Sequence, residues 1–216
     1  MVSKKDSIDY TDFDENFHED MISSANPVRN WFHNSKNALI LKTVKEYYKK
    51  STKIADLGCG TVNWNLEKLK VVGVDLNKKM LEKAKSEKRL SSFVLAPVQR
   101  TKLASNSFDI VVISEVLEHL TDYPKAIDEI KRILKKGGVC ISSVPYDTFF
   151  SMWKPLFGVQ CFVQGTILGR EYFQNEAGHV NHFSPQTIAQ AFEKGGFEIE
   201  KQFDNYRFTI FTVAKK

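Results

Sequence analysis

From residue 53 onward the chain alternates short apolar runs with amphipathic stretches. Segments 53–57, 71–76, 92–96, 108–114 and 139–144 are hydrophobic nearly throughout, as strands buried on both faces are. Helical spacing fills the gaps over 63–70, 78–88 and 124–136. In the last of these Ile127, Ile130, Ile133 and Leu134 form one stripe, with Pro124 suited to the first turn and Gly137-Gly138 to the end. A further helix is predicted over 26–50, with Leu39, Leu41, Val44, Tyr47 and Tyr48 on its apolar face. Ser184-Pro185 opens another that runs to Glu193, and 197–203 and 206–213 face each other across Asp204-Asn205 as an antiparallel hairpin. The resulting expectation is an α/β fold: a doubly wound, mostly parallel seven-stranded sheet with an antiparallel C-terminal hairpin. In such sheets ligands collect at the carboxyl ends of the strands.

The same pattern divides the chain. Residues 1–25 read as a mobile acidic arm, 26–50 as a helical cap, and 51–145 with 182–216 as the core. The stretch 146–181 breaks the rhythm, is rich in aromatic residues, and is predicted to be a substrate lid.

Charge and cysteine usage refine this picture. The first twenty residues hold two lysines against seven acids, although the chain as a whole carries a net charge of +5. The basic remainder suits anionic substrates or an anionic membrane surface, or simply solubility, since its lysines are scattered. Three separated cysteines without a C-x-x-C pair predict a reduced, cytoplasmic setting. No leader or membrane span is expected, because the longest apolar stretch, 156–169, is interrupted by Gln160 and Gln164.

The candidate chemistry starts at "IADLGCGTVNWNL", residues 54–66. A strand ending in Asp56, then Gly58, Cys59 and Gly60, permits close backbone approach to a ligand, with Cys59 as a small filler. Asp75 ends the next strand, where a carboxylate can accept from both hydroxyls of a ribose. This pair does not distinguish S-adenosylmethionine from NAD.

Ser107–Leu120, "SFDIVVISEVLEHL", with "LKKGGVCISSVP" after it, makes the distinction. With "HVNHFSPQTIAQAFEKGGFEI" (179–199), these stretches resemble class I S-adenosylmethionine-dependent methyltransferases, in the small-molecule style of the ubiquinone-biosynthesis O-methyltransferases. By that resemblance Asp56, Gly58, Cys59 and Gly60 line the methionine part of the cofactor, Asp75 holds the ribose, and Leu76 and Met80 flank the adenine. Ser114 and Glu115 close the site. Two positions depart from the pattern. Val62 stands where a third glycine is usual, a valine being able to take helical dihedrals at a helix start, and Pro97 replaces an aspartate. Recognition of the adenine is thereby left to the backbone around Ala96 and Val98.

The implied activity is methyl transfer to a small or lipid-like acceptor, at oxygen, by in-line displacement. His119 and His182 are the candidate general bases. Glu115, Glu118, His119 and His182 also form a divalent-cation set resembling that of Hen-type RNA 2′-O-methyltransferases; the metal is the less favoured cofactor, because Glu118 and His119 serve equally for structural hydrogen bonding. Arg29, Trp31 and His33 on one side, and Tyr146, Trp153 and His179 on the other, are predicted to meet the acceptor. They do so in a monomer or homodimer, with peripheral membrane contact as a further expectation. Nucleic acid is not an expected partner, for want of an arginine-rich run. The alternatives are a catalytically weak cofactor-binding protein, an RNA 2′-O-methyltransferase, and an NAD-dependent oxidoreductase. The last would want glycine at Asn63.

Overall fold

A computed structural model of the 216-residue chain describes residues 11, 14–23, 25–148, 151–152, 158–159, 162–167 and 179–216. The strands are β1 (Ile54–Leu57), β2 (Val71–Asp75), β3 (Ser92–Leu95), β4 (Phe108–Ser114), β5 (Leu134–Pro145), β6 (Glu198–Asp204) and β7 (Thr209–Lys215). They form one seven-stranded sheet in the order β3-β2-β1-β4-β5-β7-β6. β1 to β5 run parallel; β7 is antiparallel to both β5 and β6. The order reverses between β1 and β4, and the crevice outside their carboxyl ends is where a doubly wound sheet takes its ligand.

The central strands β1 and β4 are buried on both faces, their side chains alternating across the sheet, whereas the edge strands β3 and β6 are partly exposed. Ala55 and Leu57 enter the cluster on one face with Ile127, Ile130 and Ile133 of helix α4 (Tyr123–Ile133) and Ile188 and Phe192 of α5 (Pro185–Lys194). Ile54 enters the other with Ile40 and Val44 of α2 (Pro27–Tyr47) and Leu81 and Ala84 of α3 (Lys78–Ser86). Each fully buried aliphatic side chain contributes roughly 1.5–3 kcal/mol relative to exposure. Caps set the helix starts. Asn26 accepts from the amides of Val28 and Arg29, with Pro27 in the first turn, and Ser184 and Thr187 bond reciprocally in a capping box.

Three expectations are corrected. The helix predicted over 63–70 is absent, and 61–67 form successive turns. Asn65 explains much of this: its side chain accepts from Leu69 N and donates to Leu69 O and Arg89 O at 2.8–2.9 Å, holding the backbone away from helical pairing. Val62 takes φ +52, in the left-handed region and not at helical dihedrals. Finally, α4 ends at Ile133, and Gly137-Gly138 lie within β5, in a bulge between the pairs Phe108–Leu134 and Ile110–Val139.

Part of the expected mobile arm is also ordered. Residues Phe17–Ile22 form helix α1, whose Glu19 bonds Lys83 of α3 at 2.5 Å and lies 3.3 Å from Arg89. Of the predicted lid, 146–181, residues 149–150, 153–157, 160–161 and 168–178 lie outside the described residues, Trp153 among them.

Candidate active site

β1 delivers Asp56 and the glycine turn to the crevice. Gly58 N donates to Val74 O at 2.7 Å, which folds the turn back over β2. Gly58 has φ +66, and a Cβ there would lie 2.5 Å from Val116 Cγ2, so both backbone and space exclude a side chain. Asp75, at the end of β2, accepts from Gly60 N through one oxygen and from Asn77 N through the other, both at 2.8 Å. It therefore locks the turn, and each oxygen keeps lone-pair capacity for a further donor. Beside it Leu76 is 48% exposed, whereas Met80, Ala96 and Val98 are buried. Ala96 N already donates to Asp75 O, so its amide is engaged in the sheet.

Sequence reasoning missed Trp64. Its indole Nε1 donates to Asp56 Oδ2 at 2.7 Å, with both side chains buried. Burial nonetheless raises Asp56 to about 7, with the indole bond opposing and Asp75 adding to the rise. The Cys59 thiol is buried too, and burial raises its pKa well above the usual value, consistent with a filler and not a nucleophile.

β4 ends in Ser114, and the chain turns through Glu115 at φ +55 into a 3₁₀ turn, Leu117–His119. Ser114 and Ser143 hydroxyls lie 2.8 Å apart, and Ser143 Oγ donates to Glu115 Oε1 at 3.2 Å. Lys36 of α2, itself buried, stands 3.9 Å from Glu115 Oε2 and 5.6 Å from the Phe32 ring centroid. The pairing of Lys36 with Glu115 was not anticipated.

The histidines divide into two groups. His182 Nδ1 hydrogen-bonds Asp147 Oδ2; the Asp147 side chain is buried while that of His182 is half exposed. His179 instead meets His119, ring to ring, with centroids 5.0 Å apart. Burial depresses His179 to about 4, with His119 adding to the effect. Ligand atoms of Glu118, His119 and His179 all lie within 4.8 Å of one another. The cation-compatible set thus differs from the one predicted: His179 enters it, while Glu115 is engaged by Ser143 and Lys36, and His182 by Asp147.

On the acceptor side, Trp31 packs at 5.6 Å on Tyr206 and 5.7 Å on Phe208, in the turn between β6 and β7, and Phe32 lies between Phe208 and His33. Arg29 is half-buried one turn earlier. Tyr146 packs against the core cluster and donates its amide to Phe208 O at 2.9 Å. Among the described residues no helix is long and apolar enough to cross a membrane.

Residues 55–142 match the family described as a methyltransferase domain. The demethylmenaquinone methyltransferase of Staphylococcus aureus is 31% identical over 171 residues, 69% of each chain. Among solved structures, a Thermotoga maritima S-adenosylmethionine-dependent methyltransferase, described as a possible histamine N-methyltransferase, is 21% identical with a TM-score of 0.62, over 93% of this chain and 97% of that one. A Bordetella parapertussis structure described as a possible exported protein aligns with a TM-score of 0.71 at 12% identity, over 96% of this chain and 80% of that one. At such identities the structures speak to the fold alone.

Proposed function

We propose that this chain, which belongs to the class I S-adenosylmethionine-dependent methyltransferases and is such an enzyme, methylates a hydroxyl oxygen of a small, lipid-like acceptor by in-line displacement. The observation that carries the oxygen assignment is the His182–Asp147 pair beyond the carboxyl ends of β4 and β5. The residues at the first crossover fit the cofactor. The glycine turn presents backbone without side chains, Asp75 retains acceptor capacity for a diol, and Leu76 offers an exposed apolar surface to a base. Gly58, Gly60, Asp75, Leu76 and Met80 would hold S-adenosylmethionine, with Ser114 and Glu115 closing the site. When bound, it supplies an electrophilic methyl on a sulfonium.

The chain's own part is to hold the acceptor oxygen and take its proton. With Asp147 accepting from Nδ1–H, the lone pair of His182 sits on Nε2, on the half-exposed side. Proton removal by a positioned imidazole contributes about 10²–10⁴-fold, and alignment of the two reactants can supply ~7–11 kcal/mol of the barrier. Val28, Trp31 and Tyr206, exposed on one face with Arg29 and Arg207 nearby in the chain, favour a membrane-dissolved acceptor. The demethylmenaquinone relative supports the same class.

The test uses methyl-deuterated S-adenosylmethionine and hydroquinones with and without a prenyl tail, with the product located by mass spectrometry and NMR. A methyl ether formed preferentially on the tailed compound is expected. A carbon-bound methyl overturns the oxygen assignment, and equal turnover of the tail-less compound overturns the lipid-like one. His182→Asn should lower kcat by about 10²-fold while leaving the Kd for the cofactor unchanged.

A further inference from the structure

Val62 follows the glycine turn in the left-handed region, where a residue with a Cβ is penalised. One side chain from outside the turn brackets it. Arg89 Nη1 donates to Thr61 O at 3.2 Å and to Asn63 Oδ1, the residues on either side of Val62. The Arg89 carbonyl takes the Asn65 amide at 2.8 Å, so the same residue reaches the crossover at three points. Its side chain is 19% exposed.

Arg89 owes its place to a second left-handed residue. Helix α3 ends at Ser86, Lys88 takes φ +64, and Arg89 N bonds back to Ala84 O at 2.9 Å. This is a helix-ending turn usually given to glycine. On its outer side, Arg89 Nη2 donates to Glu19 Oε1 at 3.3 Å and stands 2.7 Å from Glu87 Oε2. Glu19 belongs to α1, which Lys83 also grips, and which Asn30 Nδ2 fastens to α2 through Ile22 O at 2.7 Å. The acidic N-terminal helix, Arg89 and the strained turn are therefore connected in series.

We infer that Arg89, backed by Glu19, is a positioning residue for cofactor binding: its guanidinium holds residues 61–63 in the strained shape that a glycine at 62 would adopt unaided. The inference rests on the reading of this turn as the S-adenosylmethionine site. Without the bracket, residue 62 relaxes to an ordinary backbone, Gly60 and Trp64 shift with the chain, and the cofactor must restore the turn as it binds. A planar fork of donors can hold both flanking oxygens and Glu19 together, which a single ammonium does not.

Full-length protein titrated with S-adenosylmethionine in a calorimeter tests this. Arg89→Met should weaken binding roughly 5–30-fold, the factor to which a left-handed backbone penalty corresponds. Arg89→Lys should not restore it, and Glu19→Gln should weaken binding about two- to fivefold. In a Val62→Gly background Arg89→Met should cost less than about twofold, because glycine takes the left-handed backbone freely. A merely structural arginine would cost the same in both backgrounds. Lys45→Met, which breaks an exposed ion pair to Glu67 of the same crossover, should bind as the wild type does. Undiminished affinity in Arg89→Met, or an equal loss in the two backgrounds, overturns the inference and leaves the cofactor reading standing. Failure of the wild type to bind overturns both, and wild-type affinity in Glu19→Gln overturns the part assigned to the helix. Should Arg89→Met prove unfolded by circular dichroism, Arg89→Gln in the two backgrounds decides.

Discussion

The two turns at the mouth of the sheet bear their costs differently. In the first crossover, 58–67, the carboxylates and the amide are satisfied, Asp56 by Trp64, Asp75 by Gly60 and Asn77, and Asn65 by Leu69 and Arg89, and only the buried Thr61 hydroxyl has no partner among the described residues. Its strain lies in the backbone, at Val62, and in a buried acid. After β4 the backbone is strained at Glu115, and here, among the described residues, the Glu118 carboxylate has no hydrogen-bond partner, while an imidazole is held half-exposed. A turn whose groups bond one another fixes geometry; a turn whose groups are left available can act on something else. The first is a frame and the second a working surface.

The largest expected effect tests the frame through pH. Burial raises Asp56 from 3.8 to about 7 in the folded state, so the folded protein binds the extra proton between those values. Stability from this group is therefore complete below pH ~4 and is lost as pH rises through about 7. Asp56→Asn keeps an oxygen for Trp64 and cannot ionise. Chemical denaturation from pH 4 to 8 should show the wild type losing on the order of 4 kcal/mol relative to the variant, from 1.36 kcal/mol per pK unit. Parallel curves would mean that Asp56 remains ionised and that the indole bond outweighs burial.

Next in size is Gly58→Ala. Left-handed backbone costs a non-glycine residue ~1–2 kcal/mol, and the new Cβ meets Val116 at 2.5 Å, where overpacking typically costs about 1–3 kcal/mol. A loss of about 3 kcal/mol is expected in thermal or urea unfolding, with weakened cofactor binding by calorimetry. Because the contact joins the first turn to the second, Val116→Ala should recover part of the loss. A Gly58→Ala protein as stable as wild type would separate the two turns and undo the comparison.

Much of this was legible in the sequence. The five apolar strands, the C-terminal hairpin and the glycine turn followed from periodicity and from residues with few alternative uses. What escaped was set by partners distant in sequence. Trp64 reads as one apolar position in an amphipathic run until Asp56 claims its indole, and Asn65 reads as a helix residue until Leu69 and Arg89 bond its amide. His182 was visible as a candidate, but Asp147, 35 positions earlier, was not. The cation set was predicted from local spacing and changed membership, because the hydrogen bonds to Glu118 O bring up His179. Local pattern determines which strand is where; side-chain pairing across the crevice determines what each mouth residue can do.

The smallest effect is the sharpest test of that distinction, because it asks which of two backbones residue 62 adopts. In the sequence, Val62 is expected to take helical dihedrals at the start of a helix over 63–70; the folded chain holds it at φ +52, with its side chain buried beside Cys59 and Trp64. Val62→Ala and Val62→Gly both surrender the buried isopropyl group, so that loss cancels between them. In a helix or strand alanine would be the more stable by roughly 0.5–1 kcal/mol, since glycine loses more chain entropy on folding. In the left-handed region alanine still carries the Cβ penalty and glycine does not, which reverses the order by about 1 kcal/mol. Urea denaturation of the two variants should therefore find Val62→Gly the more stable. The opposite order would restore the helix over 63–70, release Trp64 from Asp56, and leave the first crossover without the frame that sets it apart from the turn after β4.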